Sequence, residues 1–157
     1  MVSGTGNYAG INTPIVAKAM PKRLHFNTKV LGTLAALKLM KHQVTQTIRS
    51  KKISITQVIL SGQLKVGDQM EVMLDGTRIG LAEFVAIDAV TWVDLNAKDA
   101  ARGGFDNVYD LEKSLQRAGY RFKPINMYQF YRIQFLWLEE EPIPEEDAEM
   151  MEGRRLW

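Results

Sequence analysis

The chain has 157 residues, 46% of them hydrophobic, which is enough for one domain with a packed core. It contains no cysteine, which excludes a disulfide framework and thiolate metal sites and suits a reducing compartment. The net charge is only +2, but the first 67 residues carry ten Lys or Arg and no acid, whereas eight acids lie between Glu139 and Glu152. Cations without interspersed acids favour a polyanionic partner, with nucleic acid the first candidate.

Several classes of protein are not expected from the sequence. No apolar run approaches the roughly 20 residues that span a bilayer, and the first residues lack the pattern of a secretory signal. The two histidines, His25 and His42, have no acidic cluster near them in the N-terminal half, and no phosphate-binding glycine motif is present. We therefore expect a cytoplasmic protein without a membrane partner, a metal or a cofactor.

The chain begins with a segment of low regularity. Residues 1–22 are rich in Gly, Asn, Thr and Pro, which predicts a flexible or extended basic arm. Residues 24–26 then predict a short strand. Apolar side chains recur at helical spacing over residues 29–43, which predicts a helix, although Gly32 weakens it.

Two strands are predicted next. Residues 44–49 alternate and are rich in β-branched side chains, so they predict a strand with Thr45, Thr47 and Arg49 on one face. Residues 53–60 form a short apolar run that predicts a second strand.

The second half of the chain is dominated by strands. Asp75-Gly76 between residues 70–74 and 79–87 predicts a β-hairpin, and residues 90–95 continue the β pattern. Helices are predicted before and after Gly103-Gly104, at residues 97–101 and 107–118, and a last strand is predicted at residues 128–138.

Strands outnumber helices in this pattern, and they are short and joined by hairpins. We therefore predict an α+β fold, a small closed or half-closed β-barrel with helices packed at its ends. The predicted organisation is a basic arm at residues 1–22, a domain at residues 23–138 and a solvated acidic tail at residues 139–157.

Short motifs in this order resemble the ASCH domain, a branch of the PUA-like β-barrel superfamily, over about residues 24–138. The motifs that carry the resemblance are Leu24-His25-Phe26, Thr45-Gln46-Thr47-Ile48-Arg49, Gly67-Asp68, Asp99-Ala100, Gly104-Phe105, Asp110-Leu111 and Arg132-Ile133-Gln134-Phe135. The resemblance implies a cleft between the barrel and the helix before the Thr-Ile-Arg strand. It also implies RNA binding in that cleft or, in some relatives, hydrolysis of an acetylated cytidine nucleoside or of RNA.

The hydrolases of this family rely on a Lys, a Thr and a Glu, and only one of these positions matches here. Thr47 occupies the Thr position, but Val44 occupies the Lys position and the Glu position falls near Gly103. Lys41 is six residues before Thr47 and would need a shifted backbone to replace the missing Lys. Because a Thr hydroxyl needs an adjacent base to act as a nucleophile, Thr47 and Lys41 are only weak catalytic candidates.

The residues expected to bind RNA come from the acid-free half of the chain. Arg49 would contact a phosphate or a base, the hydroxyls would donate hydrogen bonds, and the lysines would contact phosphates. The alternative is an ordinary solvated surface. The predicted set is Lys22, Arg23, Lys38, Lys41, Thr45, Thr47, Arg49, Lys51 and Lys52.

A second candidate surface is Tyr120-Arg121-Phe122-Lys123, which interleaves aromatic and basic residues as a base-stacking surface does. Core packing of Tyr120 and Phe122 is the favoured interpretation of this segment.

The sequence thus predicts a non-catalytic RNA-binding module, associated with a ribosome or another RNA–protein particle, whose partner is RNA such as rRNA or tRNA. One alternative is a hydrolase that acts on acetylated cytidine or on RNA. The other is an adaptor that binds a protein partner through residues 139–157.

Overall fold

The computed structural model of the chain describes residues 22–122 and 127–138, which form a mixed five-stranded sheet and five α-helices. The strands are β1 (Lys22–Phe26), β2 (Gln46–Arg49), β3 (Gln69–Leu74), β4 (Thr77–Thr91) and β5 (Tyr128–Trp137). The helices are α1 (Thr28–Leu31), α2 (Thr33–Met40), α3 (Ser54–Leu60), α4 (Ala97–Arg102) and α5 (Val108–Arg117). A 3₁₀ turn, Trp92–Asp94, follows β4.

The sheet has the strand order β1-β3-β4-β5-β2, with β1 and β3 parallel and the other neighbours antiparallel. The long strand β4 pairs with β3 through its first half and with β5 through its second half. The register shifts between Phe84 and Ala86, and again between Val72 and Met73. Such irregularities bend and twist strands, so the sheet curls into a half-barrel with β1 and β2 as its edges.

The hairpin between β3 and β4 confirms the strongest local prediction. Asp75 and Gly76 both have positive φ, 51° and 83°, as a type I′ turn requires. The Asp75 carboxylate also accepts hydrogen bonds from the backbone N–H (2.9 Å) and the hydroxyl (2.6 Å) of Thr28. The turn therefore fixes the start of α1 as well as the strand register.

The core consists of two clusters of buried side chains. In the first, α2 and α3 pack against β1, β3 and β4, with Leu24, Leu39 and Val72 fully enclosed. In the second, α4 and α5 pack against β2, β5 and the end of β4 around Phe130. Burial of this apolar surface is the main stabilising contribution to the fold.

The structure corrects three predicted elements. The β pattern predicted over residues 90–95 ends at Thr91, because Trp92–Asp94 form a 3₁₀ turn. The helix predicted over residues 29–43 is divided at Gly32, whose φ of 90° ends α1 and begins α2. The strand predicted at residues 53–60 is wrong, because residues Ser54–Leu60 form α3. Ile55 and Ile59 are buried four residues apart. This spacing places two side chains on the same face of either a helix or a strand, so in a short apolar run it does not distinguish the two.

None of the helices in the described part of the chain has the length and apolarity that crossing a membrane requires. Residues 1–21 of the predicted arm and the whole predicted acidic tail lie outside the described residues, and β1 begins at Lys22.

Candidate functional site

A cavity of about 210 Å³ lies where the two core clusters meet, and we call it the β2 cavity. Its main polar wall is β2, Gln46–Arg49, and its other walls include Phe26, Val30, Phe105 and Tyr120. Val30 belongs to α1, so the β2 cavity lies between the half-barrel and the helical segment that precedes β2. This is the region in which the family resemblance led us to expect a cleft.

Arg49 connects the two edges of the sheet across the β2 cavity. Its Nη2 donates to the carbonyl oxygen of His25 in β1 (2.7 Å), and its Nε donates to Thr47 Oγ1 (2.8 Å). The guanidinium also lies over the Phe26 ring, 4.8 Å from the centroid, a cation–π distance. Thr47 and Arg49 therefore share one face of β2, as the alternation of the sequence predicts.

The protein around Arg49 alters the ionisation of its guanidinium. Desolvation by burial lowers the pKa of Arg49 to about 10, and the nearby Tyr120 partly opposes this shift. Arg49 therefore remains charged at neutral pH. Within the described residues it uses two of its five N–H donors, which leaves three for a ligand.

Gln46 belongs to a buried polar network around Asp99 that we did not predict from the sequence. This side chain is 1% exposed, and its Nε2 donates to Asp99 Oδ1 (2.9 Å). Arg132 holds the same carboxylate with two hydrogen bonds, from Nε to Oδ1 (2.7 Å) and from Nη2 to Oδ2 (3.0 Å). Asp99 and Arg132 both belong to motifs of the family resemblance, but no sequence pattern pairs either of them with Gln46.

The surroundings of Asp99 keep its carboxyl group ionised. Burial alone would raise the pKa of Asp99, but hydrogen bonds from Arg132, Gln46 and the Asn96 backbone, with the charge of Arg132, hold it below its ordinary value. Asn96 and Asp99 form a capping box at the start of α4. The spacing Asn-x-x-Asp is therefore the local signal that could have identified Asp99 as a fixed group.

Apolar packing fills the positions at which the family resemblance places the Lys and the Glu. Val44 is buried, and a Cβ placed on Gly104 would lie 2.9 Å from Val44 Cγ2. A Cβ on Gly103 would lie 3.2 Å from the Phe105 ring. The backbone of Gly104 thus approaches Val44 closely, and a side chain at either glycine would displace its neighbours.

The fold brings acids from the second half of the chain to two of the predicted RNA-binding cations. Arg23 pairs with Glu71 (3.2 Å) and Lys38 pairs with Asp106 (3.5 Å). The acid-free stretch of sequence is therefore not an acid-free surface. Exposed ion pairs of this kind contribute little to stability, so they do not by themselves prevent contact with a phosphate.

Lys51 and Lys52 are exposed and are separated from Arg49 by Ser50 alone. Because Arg49 and Ile53 both line the β2 cavity, these two lysines lie at its edge. Of the other predicted residues, Lys22 is half-buried in β1, Lys41 is half-buried at the end of α2, and Thr45 is half-buried with its carbonyl accepting from Phe135 N. Those three do not line the β2 cavity.

The predicted aromatic surface at residues 120–123 divides into a packed part and an exposed part. Tyr120 packs edge to face on Phe130 (5.1 Å between centroids), and its hydroxyl accepts from Ser50 N at 3.4 Å. Phe122 is 59% exposed and contacts the Trp92 ring edge-on at 6.1 Å. Lys123 lies outside the described residues.

The histidines have different environments. His25 is exposed in β1, and His42 stacks on Trp137 with 3.8 Å between ring centroids. No group of three or more acids or histidines that could hold a metal occurs in residues 22–122 and 127–138.

A second cavity of about 250 Å³ lies beside α2 and α5. Its lining combines Asp106 and Asp110 with Lys113 and Arg117, so its charges are mixed. Arg117 also donates to the carbonyl oxygen of Val30 (2.9 Å), which uses part of its hydrogen-bonding capacity. This cavity is less suited to an anionic ligand than the β2 cavity.

The half-barrel sheet and its packed helices define the class of the protein as a small α+β barrel-like domain. No protein-family model and no curated protein matches the sequence. A solved structure from Enterococcus faecalis V583, described as DUF984, is 18% identical with a TM-score of 0.53. The match covers 76% of this chain and 81% of that one.

A second solved structure, an ASCH domain from Lactobacillus crispatus JV V101, is 15% identical with a TM-score of 0.49. That match covers 66% of this chain and 69% of the other. The likeness to the Enterococcus faecalis structure is one of fold, and the mixed sheet with its packed helices confirms the α+β prediction.

Proposed function

We propose that the protein binds RNA without catalysis, with one base in the β2 cavity and phosphates on the lysines beside it. The observation that carries this proposal is the polar wall of β2, on which Gln46, Thr47 and Arg49 line an otherwise largely apolar cavity. A pocket with apolar walls and a few fixed polar groups is typical of ligand sites.

The chemistry of the wall favours a nucleotide. The guanidinium of Arg49 has donors for a phosphate or a base carbonyl, and Phe26, Phe105 and Tyr120 offer aromatic surface for stacking. Lys51 and Lys52 add exposed positive charge where the backbone of a bound strand would leave the cavity. Single-stranded RNA presents unstacked bases together with phosphates, which fits both features.

The packing at residues 44 and 103–104 supports a non-catalytic role. The described residues that line the β2 cavity with Thr47 include neither a Lys nor a carboxylate, and Val44 is packed against Gly104. The Thr47 hydroxyl accepts from Arg49 Nε, and a guanidinium is not a base that could activate it. Lys41, the only substitute that the sequence offers, does not line the β2 cavity.

The partner class within this proposal is RNA such as rRNA or tRNA, and the proposed location is the cytoplasm in a ribosomal or other RNA–protein particle. The adaptor alternative depends on residues 139–157. Deleting that segment should leave RNA binding intact, and loss of a protein partner without loss of RNA binding would favour the adaptor.

Binding of a labelled single-stranded RNA, measured by fluorescence anisotropy over a range of salt concentrations, tests the proposal. Affinity should fall steeply with salt, and Lys51→Ala with Lys52→Ala should weaken binding and reduce the slope. The matched control is Lys65→Ala with Lys98→Ala, which removes the same charge from exposed positions that do not line the β2 cavity. A flat salt response, or equal losses in both double variants, would contradict it.

A further inference from the structure

We propose that the nucleotide in the β2 cavity carries a phosphomonoester group, and that the guanidinium of Arg49 binds this group. This inference rests on the proposed function and concerns the same cavity. In RNA only the end of a strand carries a phosphomonoester, so the ligand narrows from any unpaired nucleotide to a phosphorylated strand end. A free nucleoside monophosphate carries the same group, and the experiments compare the two sources.

Arg49 brings a positive charge to the cavity that none of the described lining residues neutralises. No Asp or Glu is among the described residues that line the β2 cavity. The two hydrogen-bond acceptors of the guanidinium, Thr47 Oγ1 and the His25 carbonyl oxygen, are both uncharged. Desolvation by burial lowers the pKa of Arg49 to about 10, which reflects the cost of holding the charge away from water. An anion in the cavity would offset this cost.

Unused hydrogen-bond donors lie around this charge. After its bonds to Thr47 and His25, Arg49 keeps three of its five N–H donors. The Thr47 hydroxyl accepts from Arg49 Nε at 2.8 Å, which leaves its own hydrogen available. The hydroxyl of Tyr120 accepts from Ser50 N at 3.4 Å and also keeps its hydrogen. Because Thr47, Arg49 and Tyr120 all line the cavity, it offers donors beside a cation, which is the chemistry that phosphate oxygens require.

The position of the guanidinium favours the end of a strand over its interior. The 2.7 Å bond from Arg49 to the His25 carbonyl oxygen joins β1 to β2, and a strand that continued between these edges would have to break it. The cavity of about 210 Å³ is also smaller than the roughly 300–1,000 Å³ of sites for drug-sized ligands. A terminal nucleotide needs one exit from such a cavity, whereas an internal nucleotide needs two.

The charge of the terminal group favours the same conclusion. A phosphomonoester carries close to two negative charges at neutral pH and three free oxygens. An internal phosphodiester carries one charge and has two free oxygens. The monoester is therefore the better partner for a desolvated guanidinium with several unused donors.

Versions of one short single-stranded RNA that differ only at their ends test the inference on the unmodified protein. The RNA carries an internal fluorophore and has hydroxyls at both ends, a 5′-phosphate or a 3′-phosphate. An RNA one nucleotide longer with hydroxyl ends controls for the added charge. Fluorescence anisotropy at constant salt should show that one phosphorylated end binds about 10-fold more tightly than both hydroxyl-ended strands. Equal binding of all four RNAs would overturn the inference.

The variant Arg49→Met assigns the preference to the guanidinium. It should bind the phosphorylated and hydroxyl-ended RNAs within about 2-fold of each other. The matched control is Arg102→Met, which removes the same charge from a residue that does not line the β2 cavity and should keep the 10-fold preference. An unchanged preference in Arg49→Met, or an equal loss in Arg102→Met, would contradict the role of Arg49.

A milder variant covers the case in which Arg49→Met does not fold. Tyr120→Phe removes only a hydroxyl and should lower the preference for the phosphorylated end about 3-fold, because one donor to the phosphate is lost. A full 10-fold preference in Tyr120→Phe would contradict the proposed set of donors. The comparison of RNA ends on the unmodified protein remains decisive for the phosphomonoester itself.

Free nucleotides separate this inference from the proposed function. The probes are adenosine and uridine, each with and without a 5′-phosphate. Salt-dependent RNA binding with no preference for any phosphorylated end or nucleotide would overturn the phosphate site and leave RNA binding intact. Nucleoside monophosphates that bind more tightly than their nucleosides, with no further gain from a longer strand, would support the phosphate site on Arg49 and contradict RNA as the partner.

Discussion

The guanidinium of Arg49 donates to the carbonyl oxygen of His25 at 2.7 Å and thereby joins the two edge strands of the half-barrel. β1 and β2 are not neighbours in the hydrogen-bonded sheet, since three strands lie between them. A side chain therefore provides a contact between two edges that backbone pairing leaves apart. The same side chain lines the β2 cavity, so closure of the half-barrel and the candidate site depend on one residue.

Replacing Arg49 should destabilise the fold. Arg49→Met loses the hydrogen bonds to His25 and Thr47 and the contact with the Phe26 ring, and we expect a loss of about 1–3 kcal/mol in the free energy of unfolding. Urea denaturation measures this loss. Arg49→Lys keeps the charge but cannot donate in two directions from a planar group, so it should recover only part of the stability. Full stability in Arg49→Lys would contradict a bridging role.

Asp99 should make the stability depend on pH. Its pKa is lower in the folded protein than in the unfolded chain, so its stabilising contribution is present above the ordinary value of 3.8. This contribution is lost as the pH falls through the lower folded pKa. Asp99→Asn should therefore lower the free energy of unfolding by about 3 kcal/mol near neutral pH. The difference in the free energy of unfolding between this variant and the unmodified protein should become smaller below about pH 4.

Asp88 provides the control for this measurement. It pairs with the same Arg132 at 3.0 Å but is exposed. Asp88→Asn should cost at most about 1 kcal/mol because solvent screens the pair. A stability difference for Asp99→Asn that stays constant from pH 7 to pH 3 would show that the carboxylate charge is not what stabilises the network.

Alanine variants of Gly104 and Gly119 test the close packing between Gly104 and Val44. Both have positive φ, 91° and 100°, but a Cβ at Gly104 meets Val44 at 2.9 Å whereas nothing lies within 4 Å at Gly119. In both variants the alanine must adopt a positive φ, which strains the backbone equally at the two sites. Gly104→Ala should lose about 1–3 kcal/mol more than Gly119→Ala in thermal or urea unfolding, and equal losses would rule out the close packing.

The protein should not hydrolyse acetylated cytidine or RNA. Thr47 has the Arg49 guanidinium as its partner instead of a base, and the positions of the other two catalytic groups are apolar. Product formation followed by chromatography should equal the blank for the unmodified protein and for Thr47→Ala. Turnover that disappears in Thr47→Ala would establish the hydrolase alternative.

Local signals in the sequence predicted the local structure well. Asp75-Gly76 identified the hairpin, and Asn96 and Asn107, which cap α4 and α5, lie where those helices were expected to begin. The prediction for residues 53–60 was wrong because a seven-residue apolar helix has no period distinct enough from a strand. Tertiary packing of its buried isoleucines decides the conformation.

The candidate site was predicted only in part. The sequence predicted that Thr47 and Arg49 share one face of a strand, which the hydrogen bond between their side chains shows, but their surroundings depend on residues far away in the chain. Gln46 meets Asp99 across 53 positions, and Arg49 meets His25 across 24. The separation of charges along the sequence is also not kept on the folded surface, because Glu71 and Asp106 lie beside Arg23 and Lys38. Such pairings depend on sheet topology and leave no periodic signal in the sequence.

The most direct test of the central claim is an NMR titration of isotopically labelled protein with a short single-stranded RNA. We predict that the backbone signals that shift belong to Gln46–Arg49, Lys51, Lys52 and Phe105, with little change at Lys65 or Lys98. Shifts confined to another surface, such as the exposed Phe122 and Tyr128, would contradict it. No shifts at low salt and saturating RNA would contradict RNA binding itself.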